Sequence, residues 1–391
     1  MTSQKSPSRS TQKTFNLTTN KETIAIIGAG AIGRGFLPWK MNMERYRLLF
    51  IDSNRELIET MNKNGGYWTF MVQNNRLEEK YVKIDQALHL SEISTGSLDN
   101  PAAVFMSVGP KNVRDASNCL KGVSCPIILC ENDPKTVQIV RTHLNYDQVY
   151  FAVPDVITSN TASQESLLRD PLAIHSEDGC LFIDDRAGSI DGDISFLSED
   201  ELINKQWTAK LFLHNTPHCI AAYLGAMRGL RYIHDVMKYD ELKKIVVGAM
   251  NEMLAVQKIK AADESNESDF LTWYAEKEIS RFSNELLYDP ISRVAREPYR
   301  KLEMDGRLIG AAHDCILTSR PFDNIMIGTV CTALCAYHGR TDISDIEFDP
   351  VSSKSKVLSV FSSIGLTGTV VGDAMQSKLD EALEKISEVV L

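Results

Sequence analysis

Lys210, Asn215 and His218 stand in the spacing Lys-x4-Asn-x2-His within the segment AKLFLHNTPHCIAAYLG. A buried lysine is a competent base near neutral pH, because desolvation disfavours its charged form. An asparagine amide can donate to an oxygen on which negative charge develops. Together they could oxidise an alcohol: the amine takes the hydroxyl proton while hydride leaves carbon, and no metal is required. On a helix these three positions fall at about 0°, 140° and 80°, a wide face, and Pro217 is a candidate break in the first turn. The same spacing also suits a surface lysine, a helix-capping asparagine and a core histidine, so it does not decide the matter alone.

Gly28, Gly30 and Gly33, with Ala31 and Ile32 between them, form Gly-x-Gly-x-x-Gly directly after the apolar run Thr23 to Ile27. In such a motif the first glycine permits a tight turn and the second lets backbone approach a pyrophosphate. The third lets the following helix pack on the strand, and the helix N-terminus faces the phosphates. Asp52 lies 19 residues after Gly33, at the end of the next apolar run. A carboxylate there accepts hydrogen bonds from the adenosine ribose and repels a 2′-phosphate, which favours NAD over NADP. Val108 and Gly109, in the segment SVGP, end a later strand where such sheets present loops to a cofactor; alone, the segment is a turn.

These groups need a scaffold, and the chain supplies one. TIAII, YRLLFID, AAVFMSVGP, CPIILCEN, QVYFAVPDVIT and GCLFIDD read as buried strands, and RELIETMNKN and TVQIVRTHL as helices between them. Alternation of this kind predicts an α/β fold with a doubly wound, parallel sheet, here a Rossmann dinucleotide-binding domain over residues 21–205. From Trp207 onward the apolar residues recur at helical spacing, as in HCIAAYLGAMRGLRYI, DELKKIVVGAMNEMLAVQKI, FLTWYAEKEISRFSNELL and DEALEKISEVVL. Residues 206–391 are therefore expected to form a mainly α-helical substrate and catalytic domain. Residues 1–20 are polar and read as a flexible tail.

The chain of 391 residues carries a net charge of -10, which argues against nucleic-acid or anionic-membrane partners. No apolar run is long enough to span a bilayer. The eight cysteines contain no Cys-x-x-Cys pair and sit among apolar residues, as expected for free buried thiols in a reducing, cytoplasmic setting. Cys331 and Cys335 could share a metal at i, i+4, but core thiols fit their surroundings better. Arg293, Arg296, Arg300 and Lys301 place four cations within nine residues of an acidic chain, a pattern that points to an anion site.

The segments GAGAIGRGF, VGP, CEN, KLFLHNTPHCIAAYLG and RVAREPYRKLEMDGRLI, taken in order, resemble the polyol-specific long-chain dehydrogenases, the mannitol dehydrogenase family. The likeness runs through nearly the whole chain after residue 20. It implies metal-independent, NAD-linked hydride transfer on a polyol. By the same resemblance Lys210 is the base, Asn132 and Asn215 stabilise the oxyanion, and His218 orients the substrate. Arg293 and Lys301 match basic positions near the substrate, while Arg296 and Arg300 are candidates for a phosphate or for surface ion pairs. The compact length fits the phosphate-specific branch, hence interconversion of mannitol 1-phosphate and fructose 6-phosphate.

One stretch departs from the family. Where an Asp-Arg pair is usual, this chain has AVPDVITS with Pro154 and Asp155, and the arginine is missing. Asp133 and Pro134 after CEN also differ. Retained catalytic positions imply altered specificity more than lost chemistry. Another polyol, hexuronate or sugar phosphate as substrate, and a dinucleotide-binding sensor without turnover, stay open at this point.

Overall fold

The computed structural model describes residues 21–93, 98, 100–159, 161–261 and 265–390; the expected tail at 1–20 lies outside them. Strands come first: β1 (Glu22–Ile27), β2 (Tyr46–Asp52), β3 (Gly66–Gln73), β4 (Arg76–Lys83), β5 (Gln86–His89), β6 (Ala103–Met106), β7 (Ile127–Leu129), β8 (Val149–Asp155), β9 (Ile174–Glu177), β10 (Cys180–Asp184) and β11 (Ser195–Leu197). Eight of them form one sheet in the order β11-β10-β8-β7-β6-β1-β2-β5. All its pairs are parallel except β8 with β10. β1 is buried on both faces, with Ile24 and Ile26 in one apolar layer and Ala25 and Ile27 in the other. That is the burial a central parallel strand needs. Strand order reverses about β1, so a crevice opens at its carboxyl end, between the loops after β1 and β6.

A second sheet, β4-β3-β9, was not expected from the sequence. β3 and β4 form a hairpin through Asn74 and Asn75, which adopt φ 49° and 57°. Two successive left-handed residues make the tight turn whose twist matches that of the strands it joins.

Helices α1 (Arg55–Asn64) and α2 (Thr136–Leu144) cover the large sheet, and from Glu201 every described regular element is helical. The elements used below are α3 (Thr216–Met227), α4 (Asp240–Lys260), α5 (Ser265–Phe282) and α6 (Asp323–His338). α6 is buried from Ile325 to Ala336 and packs against α3 and α4, forming the centre of this half. No described helix is long and apolar enough to cross a membrane.

Three sequence expectations need correction. HCIAAYLGAMRGLRYI is not one helix: α3 stops at Met227, and Gly229 at φ +66° turns the chain while Leu230 N–H bonds Gly225 O at 2.9 Å. This is a glycine-terminated helix end. QVYFAVPDVIT ends as a strand at Asp155. Cys180 is exposed, unlike the other seven free thiols, because it opens β10 directly after the turn at Gly179.

Candidate active site

A cavity of about 650 Å3 lies between the carboxyl ends of the sheet strands and the helical half. Every residue expected at the site lines it, except Gly33. Gly33 serves packing instead: a Cβ there would meet Gly28 O at 2.1 Å. At Gly28, φ is +95° and a Cβ would meet Ser107 O at 2.4 Å, so only glycine allows the loops after β1 and β6 to approach. Gly30 faces open space, leaving room beside the backbone.

Asp52, at the end of β2, accepts from Ala29 N at 2.7 Å and from Asn54 N at 2.8 Å. Its carboxylate is thereby fixed against the glycine turn while still lining the cavity. The loop at Val108 and Gly109 is held by Glu131, whose carboxylate accepts from Val108 N at 2.7 Å and from Gly109 N at 3.0 Å. Burial pushes the Glu131 carboxyl up to about 7, against the pull of those two N–H groups. Sequence reading missed Glu131; its only signal was its place between Cys130 and Asn132 in CEN.

Lys210 and Asn215 lie on a wide, π-type turn that runs into α3, and Pro217 sits harmlessly in the first turn of that helix. Wide turns of this kind redirect side chains and recur at functional sites. Lys210 is buried, and its Nζ donates to Pro154 O. Burial brings its pKa down to about 8, with Asp155 acting in the opposite sense. Asn215 Nδ2 is buried and has no hydrogen-bond partner among the described residues. An orphaned donor of this kind costs about 1–3 kcal/mol, so on a cavity wall it marks a position where a ligand oxygen is due. Asn132 is exposed and lines the same cavity.

His218 is buried, with Nε2 2.7 Å from Asp289 Oδ2. Arg293 donates from Nε to Asp289 Oδ1 at 3.0 Å. Burial would raise the Asp289 carboxyl, but Arg293 and His218 outweigh it and hold it below the usual carboxylate range. Arg293, expected as a substrate cation, is thus half-committed to bracing the histidine. Arg300 pairs with Glu297 at 3.2 Å. Arg296, Lys301 and Arg307 line the cavity without a carboxylate partner among the described residues. Burial lowers the pKa of all three, and for Lys301 neighbouring Arg307 adds to it. Arg307 was not foreseen; it lies outside the RVAREPYRKL run.

Beside Pro154, where the arginine is missing, the carboxylate of Asp155 is paired by another element. Asp155 is fully enclosed and accepts from Arg281 Nη1 at 3.0 Å, Lys277 Nζ at 3.0 Å and Tyr274 Oη at 3.1 Å, all from α5. Burial works against its ionisation, yet Arg281 and Lys277 hold it well below the usual range. Arg281 also reaches Glu177 at 2.6 Å and bonds Glu278. Among the described residues no group of three or more His, Cys, Asp or Glu side chains is placed to hold a metal ion.

Residues 203–375 match the family model described as mannitol dehydrogenase C-terminal domain. A mannitol-1-phosphate 5-dehydrogenase of Caldanaerobacter subterraneus is 31% identical over 314 residues, 74% of this chain and 80% of that one. Another, of Aureobasidium melanogenum, is 25% identical over 392 residues, 93% of this chain and 97% of its own length. Among solved structures, the Pseudomonas fluorescens mannitol 2-dehydrogenase ternary complex with NAD and D-mannitol superposes with TM-score 0.68 at 13% identity, covering 96% of this chain and 95% of that one. A D-sorbitol dehydrogenase gives TM-score 0.64 at 14% identity, with 95% of each chain covered. At such identities these two structures speak for the fold.

Proposed function

From the premise that this chain belongs to the mannitol dehydrogenase family, an oxidoreductase family by its relatives, we propose that it is an NAD-dependent, metal-independent polyol dehydrogenase that interconverts mannitol 1-phosphate and fructose 6-phosphate. The observation that carries this reading is one turn that brings to the cavity both a buried Lys210 of lowered pKa and an Asn215 donor unpartnered among the described residues, with the glycine turn lining the same cavity.

The residues fit a dinucleotide: Gly28 lets the turn close against Ser107, Gly30 leaves open space beside the backbone, and Asp52 stands fixed at the end of β2 for the ribose hydroxyls. NAD, when bound, supplies the hydride acceptor. In polyol oxidation Lys210 takes the hydroxyl proton; its N–H to Pro154 O leaves the amine lone pair free for that purpose. Asn215 and Asn132 donate to the oxygen as it gains charge. His218, braced by Asp289, holds the neighbouring hydroxyl. Lys301, Arg296, Arg300 and Arg307 supply the positive charge that a phosphate requires. A base and amide donors together fill the roles a Lewis acid would otherwise take. On this reading cofactor and substrate halves meet near residue 205, and the free thiols suit a cytoplasmic enzyme.

The test is NADH oxidation with fructose 6-phosphate beside free fructose and fructuronate. Turnover confined to the phosphate supports the reading; turnover with another ketose alone, or none, refutes it. Lys301→Met should raise the KM for fructose 6-phosphate about tenfold or more while leaving NADH affinity unchanged, since one charge-assisted hydrogen bond is worth about 1.5–3 kcal/mol. An unchanged KM would remove Lys301 from the anion site.

The pH dependence has a definite sign. Oxidation needs the neutral amine, so its rate should climb as pH rises through about 8; reduction needs the ammonium and should fall across the same range. Profiles of kcat in both directions check this, and parallel profiles would contradict it.

A further inference from the structure

His214 has no part in the chemistry above, yet it lies on the wall of the same cavity. It precedes Asn215 on the wide turn and stands four residues before His218, with the two rings 4.9 Å apart. Both rings pack on Phe282, His218 in a stack at 5.1 Å and His214 tilted at 5.4 Å. His214 Nδ1 lies 2.5 Å from Glu278 Oε2, and Glu278 has no exposure at all. The other carboxylate oxygen of Glu278 accepts from Arg281 Nη1. His214 is thus held by a fully buried carboxylate from α5 that Arg281 fixes from its other side.

The two histidines are braced through opposite nitrogens. His218 gives Nε2 to Asp289, which leaves Nδ1; His214 gives Nδ1 to Glu278, which leaves Nε2 without a partner among the described residues. A carboxylate accepts only, so an ionised Glu278 draws the ring proton to Nδ1 and leaves a lone pair on Nε2. Two imidazoles of this kind, side by side on one wall, suit a substrate with hydroxyls on adjacent carbons.

We propose that His214 is a second substrate-binding histidine, whose Nε2 accepts a hydrogen bond from a polyol hydroxyl beside the one held by His218, and that Glu278 is the positioning residue that fixes its tautomer. This rests on the polyol reading but not on the phosphate. The carboxylate of Glu278 is ionised above about 7, the level to which burial raises it against the pull of Arg281.

Glu278→Gln offers a clean test. Arg281 donates, so it claims the amide oxygen and turns the amide nitrogen toward His214. The nitrogen donates to Nδ1, the ring proton moves to Nε2, and an acceptor becomes a donor with every internal hydrogen bond kept. At pH 8, 15N spectra of histidine-labelled protein should show His214 protonated on Nδ1 in the wild type and on Nε2 in Glu278→Gln. Kinetics are run on whichever of fructose 6-phosphate, fructose and fructuronate the wild type reduces fastest, so inert fructose 6-phosphate sinks the phosphate reading alone. His214→Leu and Glu278→Gln should each raise the ketose KM about tenfold with NADH affinity unchanged, and His214→Gln, which restores an acceptor, should recover much of it. A wild-type His214 protonated on Nε2 or doubly protonated, or a KM unmoved in Glu278→Gln, would overturn the proposal; the spectra decide even if no ketose is turned over.

Discussion

Lys210→Ala should lose about a thousandfold in kcat, within the 10²–10⁴ range typical of a positioned acid or base. NADH titration by fluorescence should give the wild-type affinity, because the glycine turn and Asp52 are untouched. Added methylamine should restore part of the rate, with a pH dependence that follows the added amine. Stability should move the other way. Lys210 titrates at about 8 in the fold and near 10.4 when unfolded, so between those values the unfolded chain binds more protons and stability rises with pH. At pH 7 the buried ammonium is a burden, and Lys210→Met should melt no lower than the wild type. Activity within tenfold of wild type in the alanine variant would assign the base elsewhere.

Arg281→Met should be the most damaging single change to the fold. The guanidinium is buried and touches Asp155, Glu177 and Glu278. Lys277 still serves Asp155, but the other two carboxylates lose their cation. Stranding a buried charge costs about 3–5 kcal/mol. We expect a melting point many degrees lower, partly recovered in Arg281→Met/Glu278→Gln, where one stranded charge is gone. The deficit should shrink as pH falls from 8 toward 5, because Glu278, raised by burial to about 7, then takes up a proton. A variant that melts within a degree or two of wild type would show that the network contributes nothing to stability.

What the sequence made legible follows from the range of each interaction. β1, the glycine turn and β2 are local patterns of apolar runs, small residues and a terminal acid, and they could be read directly. The β3–β4 hairpin could have been read too: Asn74–Asn75 is a tight-turn pair, but β4 is mostly exposed and carries no apolar run. Lys210, Asn215 and His218 were found because they share one short segment. Glu278, 64 residues from His214, and Arg281, 126 residues from Asp155, carry no local mark. Only the packing of α5 against the loop ends reveals them. The cation that meets Asp155 likewise comes from another element, so the stretch around Pro154 gave no sign of it.

Arg281 stands on α5, while its partners Asp155 and Glu177 end β8 and β9. The seam between the two halves is therefore uneven. At one end, swinging the halves apart would drag a guanidinium away from buried carboxylates. At the other, Lys111 meets Glu297 at 2.9 Å and Lys135 meets Asp305, both pairs exposed and each worth at most about 1 kcal/mol. A wide hinge would have to break these buried pairs first. Any opening of the cavity is expected at the lightly fastened end, where the turn at Pro110–Asn112 and the short helices around Pro298 can part without disturbing Lys210.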